Sequence, residues 1–318
     1  MPAPRLAREI IRPALIFIAL ALVPLLAKLL SAQYLLDLGS RVMIFAVAAV
    51  ALDLIVGYCG LVSLGHAGFI GLGAYAVGIL SAEGFGDALI SLPVAVGASM
   101  LFALATGLIC LRTRGVYFIM ITLAFGQMIY FIATSLALYG GDNGLTIASR
   151  NTIVGLPLIK TDLALYYMIF LFLLGTYLFC RALVSSRFGR VLRGGKVNAI
   201  RISTIGFDIK RYQLVAYVIS GGLAGLSGFL LANSTEFVSP AYMSWQRSGE
   251  LIVMVIFGGV GTLDGAIIGS AAYLLSEAWL SGLIENWKVV FGPILVMVVL
   301  FARGGLIGIS AKLWRPQS

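Results

Sequence analysis

Apolar residues fall along the chain in repeated runs, near 13–31, 42–57, 61–80, 88–111, 115–138, 163–180, 213–232, 251–260, 263–282 and 287–302. Most approach the length that crosses about 30 Å of hydrocarbon at about 1.5 Å per residue. Each run is apolar on all sides, whereas a membrane β-barrel shows segments of about ten residues that alternate in polarity. A helix satisfies its own backbone polar groups without water, so the pattern predicts an all-α polytopic membrane protein of about ten transmembrane helices. The eighth run spans only if it recruits residues from Ser244 onward; otherwise it reads as a broken or re-entrant helix. The first run follows Arg5, Arg8 and Arg12, as in a signal peptide, yet it leads into further apolar segments without a clear small-residue cleavage site. It is expected to be the first span, with a cleaved or peripheral N-terminal helix as the alternative. No aqueous domain is expected, so 1–318 reads as a single transmembrane domain.

Composition agrees with this pattern and excludes a water-facing shell. The 318 residues are 60% hydrophobic and 11% charged, where soluble proteins carry about 25% charge. The formal charge of +9 becomes a statement about topology once it is mapped onto the runs. With ten spans and an inward start, sixteen of the 22 basic residues fall on the inner side. These include Arg112, Arg114, Arg181 and the whole set from Arg187 to Arg211. Lys28, Arg41, Arg150, Lys160, Arg247 and Lys288 fall outside, together with most of the acids. That is the bias of cytoplasmic loops, and it places both termini in the cytoplasm. Nucleic-acid binding needs a basic face on an aqueous domain and is not implied.

The longest inner connection, 181–212, holds eight basic residues and one acid. Leu183, Val184, Phe188, Val191 and Leu192 predict a short helix broken at Gly194-Gly195. A second helix is expected over Asn198 to Ile205, with Ala199, Ile202 and Ile205 on one stripe, ended by Gly206. Such a surface suits lipid headgroups or a cytoplasmic protein partner. Phe188, Gly189, Arg190, Arg193, Lys196, Asn198 and Gly206 are its docking candidates.

Glycines form two clusters. In GYCGLVSLGHAGFIGLGAYAVG, from Gly57 to Gly78, each glycine in a helix interior sacrifices roughly 1 kcal/mol of propensity. Close helix crossing compensates, as does a broken helix whose free backbone lines a pathway. Gly65, Gly68 and Gly71 are candidates for either use. In FGGVGTLDGAIIGSAAYLL, from Phe257, Gly261, Gly265 and Gly269 recur every fourth residue and predict one smooth packing face. His66 is the single histidine; with Ser63 and Tyr75 as its nearest polar neighbours in sequence, it is expected to fix a local turn or stand on a pathway. Asp53 lies in the second run, where a carboxylate is costly and calls for a partner inside the bundle. Asp264 and Glu277 lie near the two ends of a later helix and are weaker candidates.

Catalytic and cofactor chemistry find little support. Cys59, Cys110 and Cys180 show no metal-ligand spacing, and no metal site is expected. In GRVLRGGKV, Gly189 stands one position too early for a phosphate-binding loop, and Val197 occupies the place of the magnesium-liganding hydroxyl. The chain is therefore expected to be no enzyme, and any ATP-driven engine must lie elsewhere.

Several blocks together resemble the permeases of branched-chain amino-acid ATP-binding-cassette transporters, specifically the M-type subunit. They are GYCGLVSLGHAGFIGLGAYAVGIL, GVYFIMITLAFGQMIYFIA with GGDNGLT, SSRFGRVLRGGKVNAI, RYQLVAYVISGGLAGLSGFLLA and FGGVGTLDGAIIGSAA, in order over about 40–307. The resemblance implies an importer subunit in the bacterial inner membrane, surrounded by membrane lipid and paired with a homologous H-type permease. It also implies two cytoplasmic ATPase subunits that hold ATP and magnesium, and a periplasmic substrate-binding protein. By the same resemblance, 181–212 is the cytoplasmic coupling loop. A urea or short-amide permease and an ion-coupled secondary transporter are the alternative readings.

Overall fold

A computed structural model of the protein describes residues 3–30, 32–152, 160–283, 289, 291–293, 297 and 304–308. The chain begins with α1 (Ala3–Leu29) and α2 (Tyr34–Asp53), and α2 runs on into a π-helical turn, Leu54–Cys59. Then come α3 (His66–Ala82), α4 (Ala88–Cys110), α5 (Val116–Ser135) and α6 (Asp162–Ser185). Two short helices, α7 (Arg187–Val197) and α8 (Ala199–Thr204), lead to α9 (Ile209–Thr235), α10 (Trp245–Gly258) and α11 (Leu263–Ser281). A two-residue antiparallel ladder joins β1 (Leu145–Thr146) to β2 (Phe237–Val238). Side chains accept from the first free backbone amides of several helices: Asp87 caps α4, Thr161 α6, Ser186 α7, Asn198 α8 and Asp208 α9.

α2 is the central post. It is buried from Val42 through Cys59 and packs against α1, α6, α9, α10 and α11. α3, α4 and α9 form the tightest group beside it, and small residues explain how they approach. A Cβ at Gly228 would overlap the carbonyl oxygen of Ile70, and one at Gly73 would overlap that of Gly225. Gly225 in turn leaves no room beside Ser99 on α4. Large apolar side chains that miss this core point outward, among them Leu101, Tyr117 and Phe131, as lipid-facing positions require.

Six helices are long and apolar enough to cross a membrane: Ile11–Leu29 within α1, Tyr34–Cys59, α4, α5, α6 and α9. α10 and α11 pass that test only together, bent by 116° at their junction, which raises the count to seven. The expected ten is thus corrected among the described residues. Two causes account for two of the three missing spans, and the third is the tenth run. α3 has 17 residues, or about 25 Å, short of a full hydrocarbon crossing. The runs near 251–260 and 263–282 are two arms of one bent pair, because Gly259 (φ 125°) and Gly261 (φ 80°) break the helix between them. As the eighth run required, α10 recruits upstream residues and starts directly after Ser244. Most of the tenth run, 287–302, lies outside the described residues, as do Lys288, Arg303, Lys312 and Arg315.

Helix directions sort the charges into two opposite ends. α4 runs from Asp87 to Arg112, α6 from Asp162 toward Arg181, and α9 from Lys210 to Glu236. At the acidic end, Arg150 pairs with Asp162 at 2.7 Å and Glu236 at 3.0 Å, and Arg41 pairs with Glu277 at 3.6 Å. At the basic end, Arg114, Lys196 and Lys210 line one cleft beneath α7.

Candidate functional site

α7 and α8 occupy most of the 181–212 connection. α7 passes uninterrupted through Gly194-Gly195; the break comes at Asn198, whose extended backbone (φ −155°) ends α7 and whose side chain caps α8. The expected break at the glycine pair is therefore corrected. Those glycines serve packing instead, for Gly195 admits the Ile209 side chain and Gly194 that of Ile202. Gly189 lies so close to the backbone of Val184 that no Cβ fits, which closes the α6–α7 corner. Phe188 stacks on Tyr212 with ring centroids 5.4 Å apart. Leu192 joins Cys59 and Ala216 in a small buried cluster. Arg193 donates to the Val184 carbonyl at 3.3 Å, and Gly206 (φ 97°) ends the α8 turn.

What remains outward is both apolar and basic. Val197 is 86% exposed, Ile200 74% and Ile205 66%, and Arg187, Arg190, Arg193 and Arg201 are exposed beside them. The expected stripe of Ala199, Ile202 and Ile205 is thus only partly right: Ile202 turns inward onto Gly194, and Val197 with Ile200 takes the outer positions. These outward residues form an exposed apolar knuckle ringed by cations.

This knuckle is tied to the bundle through Lys196. Its Nζ donates to the carbonyl oxygen of Gly57 at 2.6 Å, and its aliphatic stem lies along Gly60. The π turn leaves that carbonyl without a regular helical donor, and a cation at a helix carboxyl end is electrostatically favoured. One turn earlier on the same post, the fully buried Asp53 accepts from the Gly261 amide at 2.7 Å through Oδ1. Its Oδ2 has no hydrogen-bond partner. Gly57 also touches Gly261 so closely that a Cβ there would meet its backbone at 2.6 Å. The end of α2 therefore contacts α7 on one side and the apex of the α10–α11 pair on the other.

Gly261 itself belongs to that apex and not to a helix face, which corrects the expected three-glycine stripe. Gly265 and Gly269 do lie on α11, where they accommodate the backbone of Gly258–Gly259 and of Met254. Asp264 accepts from the Tyr177 hydroxyl at 2.6 Å, so α11 is also fastened to α6.

His66 opens α3 and is fully buried. Its partner is neither Ser63 nor Tyr75. Nε2 lies 2.8 Å from the Ser220 hydroxyl on α9, which in turn donates to the Ala51 carbonyl on α2. A hydroxyl has one proton to give, so His66 must carry its proton on Nε2. The ring packs edge-on against Phe69 and Tyr217. His66 thus joins α2, α3 and α9 at the level of the non-helical stretch 60–65. The free amides there find acceptors on other helices: Leu64 in Thr122 at 3.3 Å and Ala67 in Ser248 at 3.0 Å. Gly65 abuts the Thr122 carbonyl, Gly68 faces Gly126 at 3.6 Å, and Gly71 accommodates the Met243 side chain. Gly65 and Gly71 thus stand at contacts that admit no side chain, and all three glycines belong to α3 or its cap.

Among the described residues, no group of three or more His, Cys, Asp or Glu side chains could hold a metal. Ser220, Thr122 and Ser248 escaped sequence reasoning, although a hydroxyl inside an apolar run is a detectable sign of an interhelical bond.

Residues 34–300 match the family model described as branched-chain amino acid transport system / permease component. The high-affinity branched-chain amino acid transport system permease protein LivM of Escherichia coli is 24% identical over 99% of this chain and 76% of its own length. LivM of Salmonella typhimurium is also 24% identical, over 88% and 68%. A probable LivH permease of Methanocaldococcus jannaschii is 35% identical over 72 residues, 23% of this chain and 22% of that protein. No solved structure matches this chain.

Proposed function

Because the chain belongs to the family of branched-chain amino-acid transport permeases, we propose that it is the M-type subunit of an ATP-driven importer for branched-chain amino acids. Membership in a transport family makes its role one of passage through the membrane and not catalysis. In this reading a homologous H-type permease supplies the other half of the pathway, and the short likeness to LivH supports such a pairing. Two ATPase subunits hold ATP and magnesium at the basic end, which faces the cytoplasm with both termini. A periplasmic binding protein delivers substrate to the acidic end, and the whole lies in a bacterial inner membrane.

The observation that carries this reading is the exposed α7–α8 knuckle fastened to α2 by Lys196. ATPase closure displaces the knuckle. Lys196 passes the displacement to the end of α2, and Asp53 with Gly57 passes it to the α10–α11 apex. Packed helices respond to such a push by switching between discrete arrangements, not by bending smoothly. Charge reversal at Arg190 and Arg193 tests the docking surface by ATPase co-purification and substrate uptake, and both should fall. Ile200→Asp, remote from the Arg193–Val184 bond, should do the same. Unchanged assembly and uptake in all three variants would sink the docking proposal.

A further inference from the structure

At the acidic end, α2, α9 and the start of α10 enclose a cavity of about 320 Å³. Small-molecule sites occupy roughly 300–1,000 Å³, so this one has room for a single small solute and not for a peptide. Its wall divides into two chemistries. Ile44, Phe45 and Leu231 give it an apolar side, whereas Asp37, Arg41 and Arg247 give it both signs of charge.

The two guanidiniums are held in place from behind. Arg247 pairs with Glu250 at 2.8 Å and stands 5.9 Å over the Phe45 ring, and Arg41 pairs with Glu277 at 3.6 Å. Neither glutamate lines the cavity. A guanidinium has five N–H donors in a fixed fork, so each retains donors for a ligand after binding its glutamate. Asp37 forms no ion pair among the described residues and is the one cavity charge left unbalanced. The site therefore offers an acceptor for a cation, two positioned donors for a carboxylate, and an apolar surface beside both.

Resting on the reading of the chain as an amino-acid permease, we propose that this cavity is a selection site for one zwitterionic aliphatic amino acid. The ammonium sits at Asp37, the carboxylate lies across Arg41 and Arg247, and the side chain rests on Ile44, Phe45 and Leu231. Because both guanidiniums already have carboxylate partners, the ammonium contact with Asp37 dominates recognition.

The test uses the complete transporter with its partner subunits and photo-leucine, a leucine bearing a diazirine in its side chain. After irradiation, peptide mapping should place the label within 37–45 or 231–247, and excess leucine should remove it. 4-Methylpentanoate, which lacks the ammonium, should compete roughly tenfold to hundredfold less well, the loss of one hydrogen-bonded charge. Asp37→Asn should abolish the difference between the two competitors, whereas Asp37→Glu should preserve it. Co-purification with the partners verifies that each variant folds. Label confined to other segments, or equal competition by leucine and 4-methylpentanoate, overturns the site. Uptake of radiolabelled leucine by the same preparation separates the two readings: uptake without label in these segments refutes the site alone. Absence of both uptake and label refutes the permease reading as well.

Discussion

Lys196 and Gly57, 139 positions apart in the chain, meet through a 2.6 Å hydrogen bond from the Lys196 ammonium to the Gly57 carbonyl. This bond fastens the basic helix α7 to α2, the most buried of the spanning helices. A hydrogen bond to a charged group contributes about 1.5–3 kcal/mol. Lys196→Met is therefore expected to leave the subunits assembled but to cut uptake per ATP hydrolysed about tenfold or more. Parallel assays of ATP hydrolysis and uptake in liposomes check this; an unchanged ratio would remove Lys196 from the coupling route.

Asp53 and Gly261 predict a different contrast. Asp53→Asn retains an oxygen to accept from the Gly261 amide and removes the charge, so its thermal stability in detergent should match or exceed that of the parent. Asp53→Ala strands that buried amide and should cost about 1–3 kcal/mol. Melting curves of the two variants decide the point, and equal loss in both would show that the charge, not the hydrogen bond, matters.

The glycines divide into indispensable and dispensable sets. Gly228→Ala pushes a methyl group into the Ile70 carbonyl and should destabilise by about 1–3 kcal/mol, as overpacking does. Gly97 and Gly175 have nothing within 4 Å of an added Cβ. Alanine there should be neutral or stabilise by about 0.5–1 kcal/mol. Yield of folded protein after heating distinguishes the classes.

His66 supplies a paired test with Ser220. Ser220→Ala removes the acceptor of the His66 proton, and His66→Ala also opens a void among Phe69 and Tyr217. The second variant should lose more stability by about 2 kcal/mol or more, in line with large-to-small core changes. The double variant should be no worse than His66→Ala by more than a few tenths of a kcal/mol. Denaturation of the four proteins completes this cycle, and strictly additive losses would mean that the two residues act independently.

Much of the architecture is legible in the sequence because a hydrocarbon environment demands long apolar helices and punishes stray charges. The runs near α4 and α9 stop close to Asp87, Arg112 and Lys210, and that near α6 starts at Asp162, although α6 continues past Arg181 to Ser185. The count is less legible. Gly261 looks like the first residue of a packing stripe, yet its positive φ, with that of Gly259, turns the chain back, and only backbone geometry separates those uses. The 181–212 connection was readable as two helices with a stop at Gly206, though the break between them falls at Asn198 and not at the expected Gly194-Gly195. Its outward face was not, because which of Val197, Ile200 and Ile202 is covered depends on Gly194, Ile209 and the helices behind them. Long-range pairs such as His66 with Ser220 stay hidden for the same reason: nothing local to either residue specifies the other.

The most direct measurement is amino-acid uptake by liposomes that contain this chain with its permease, ATPase and binding-protein partners, energised either by ATP or by an imposed ion gradient. Uptake of leucine, isoleucine or valine that requires ATP and every partner, and that persists when proton and sodium gradients are collapsed, is the predicted result. Uptake driven by an ion gradient without ATP or the ATPase subunits would contradict it.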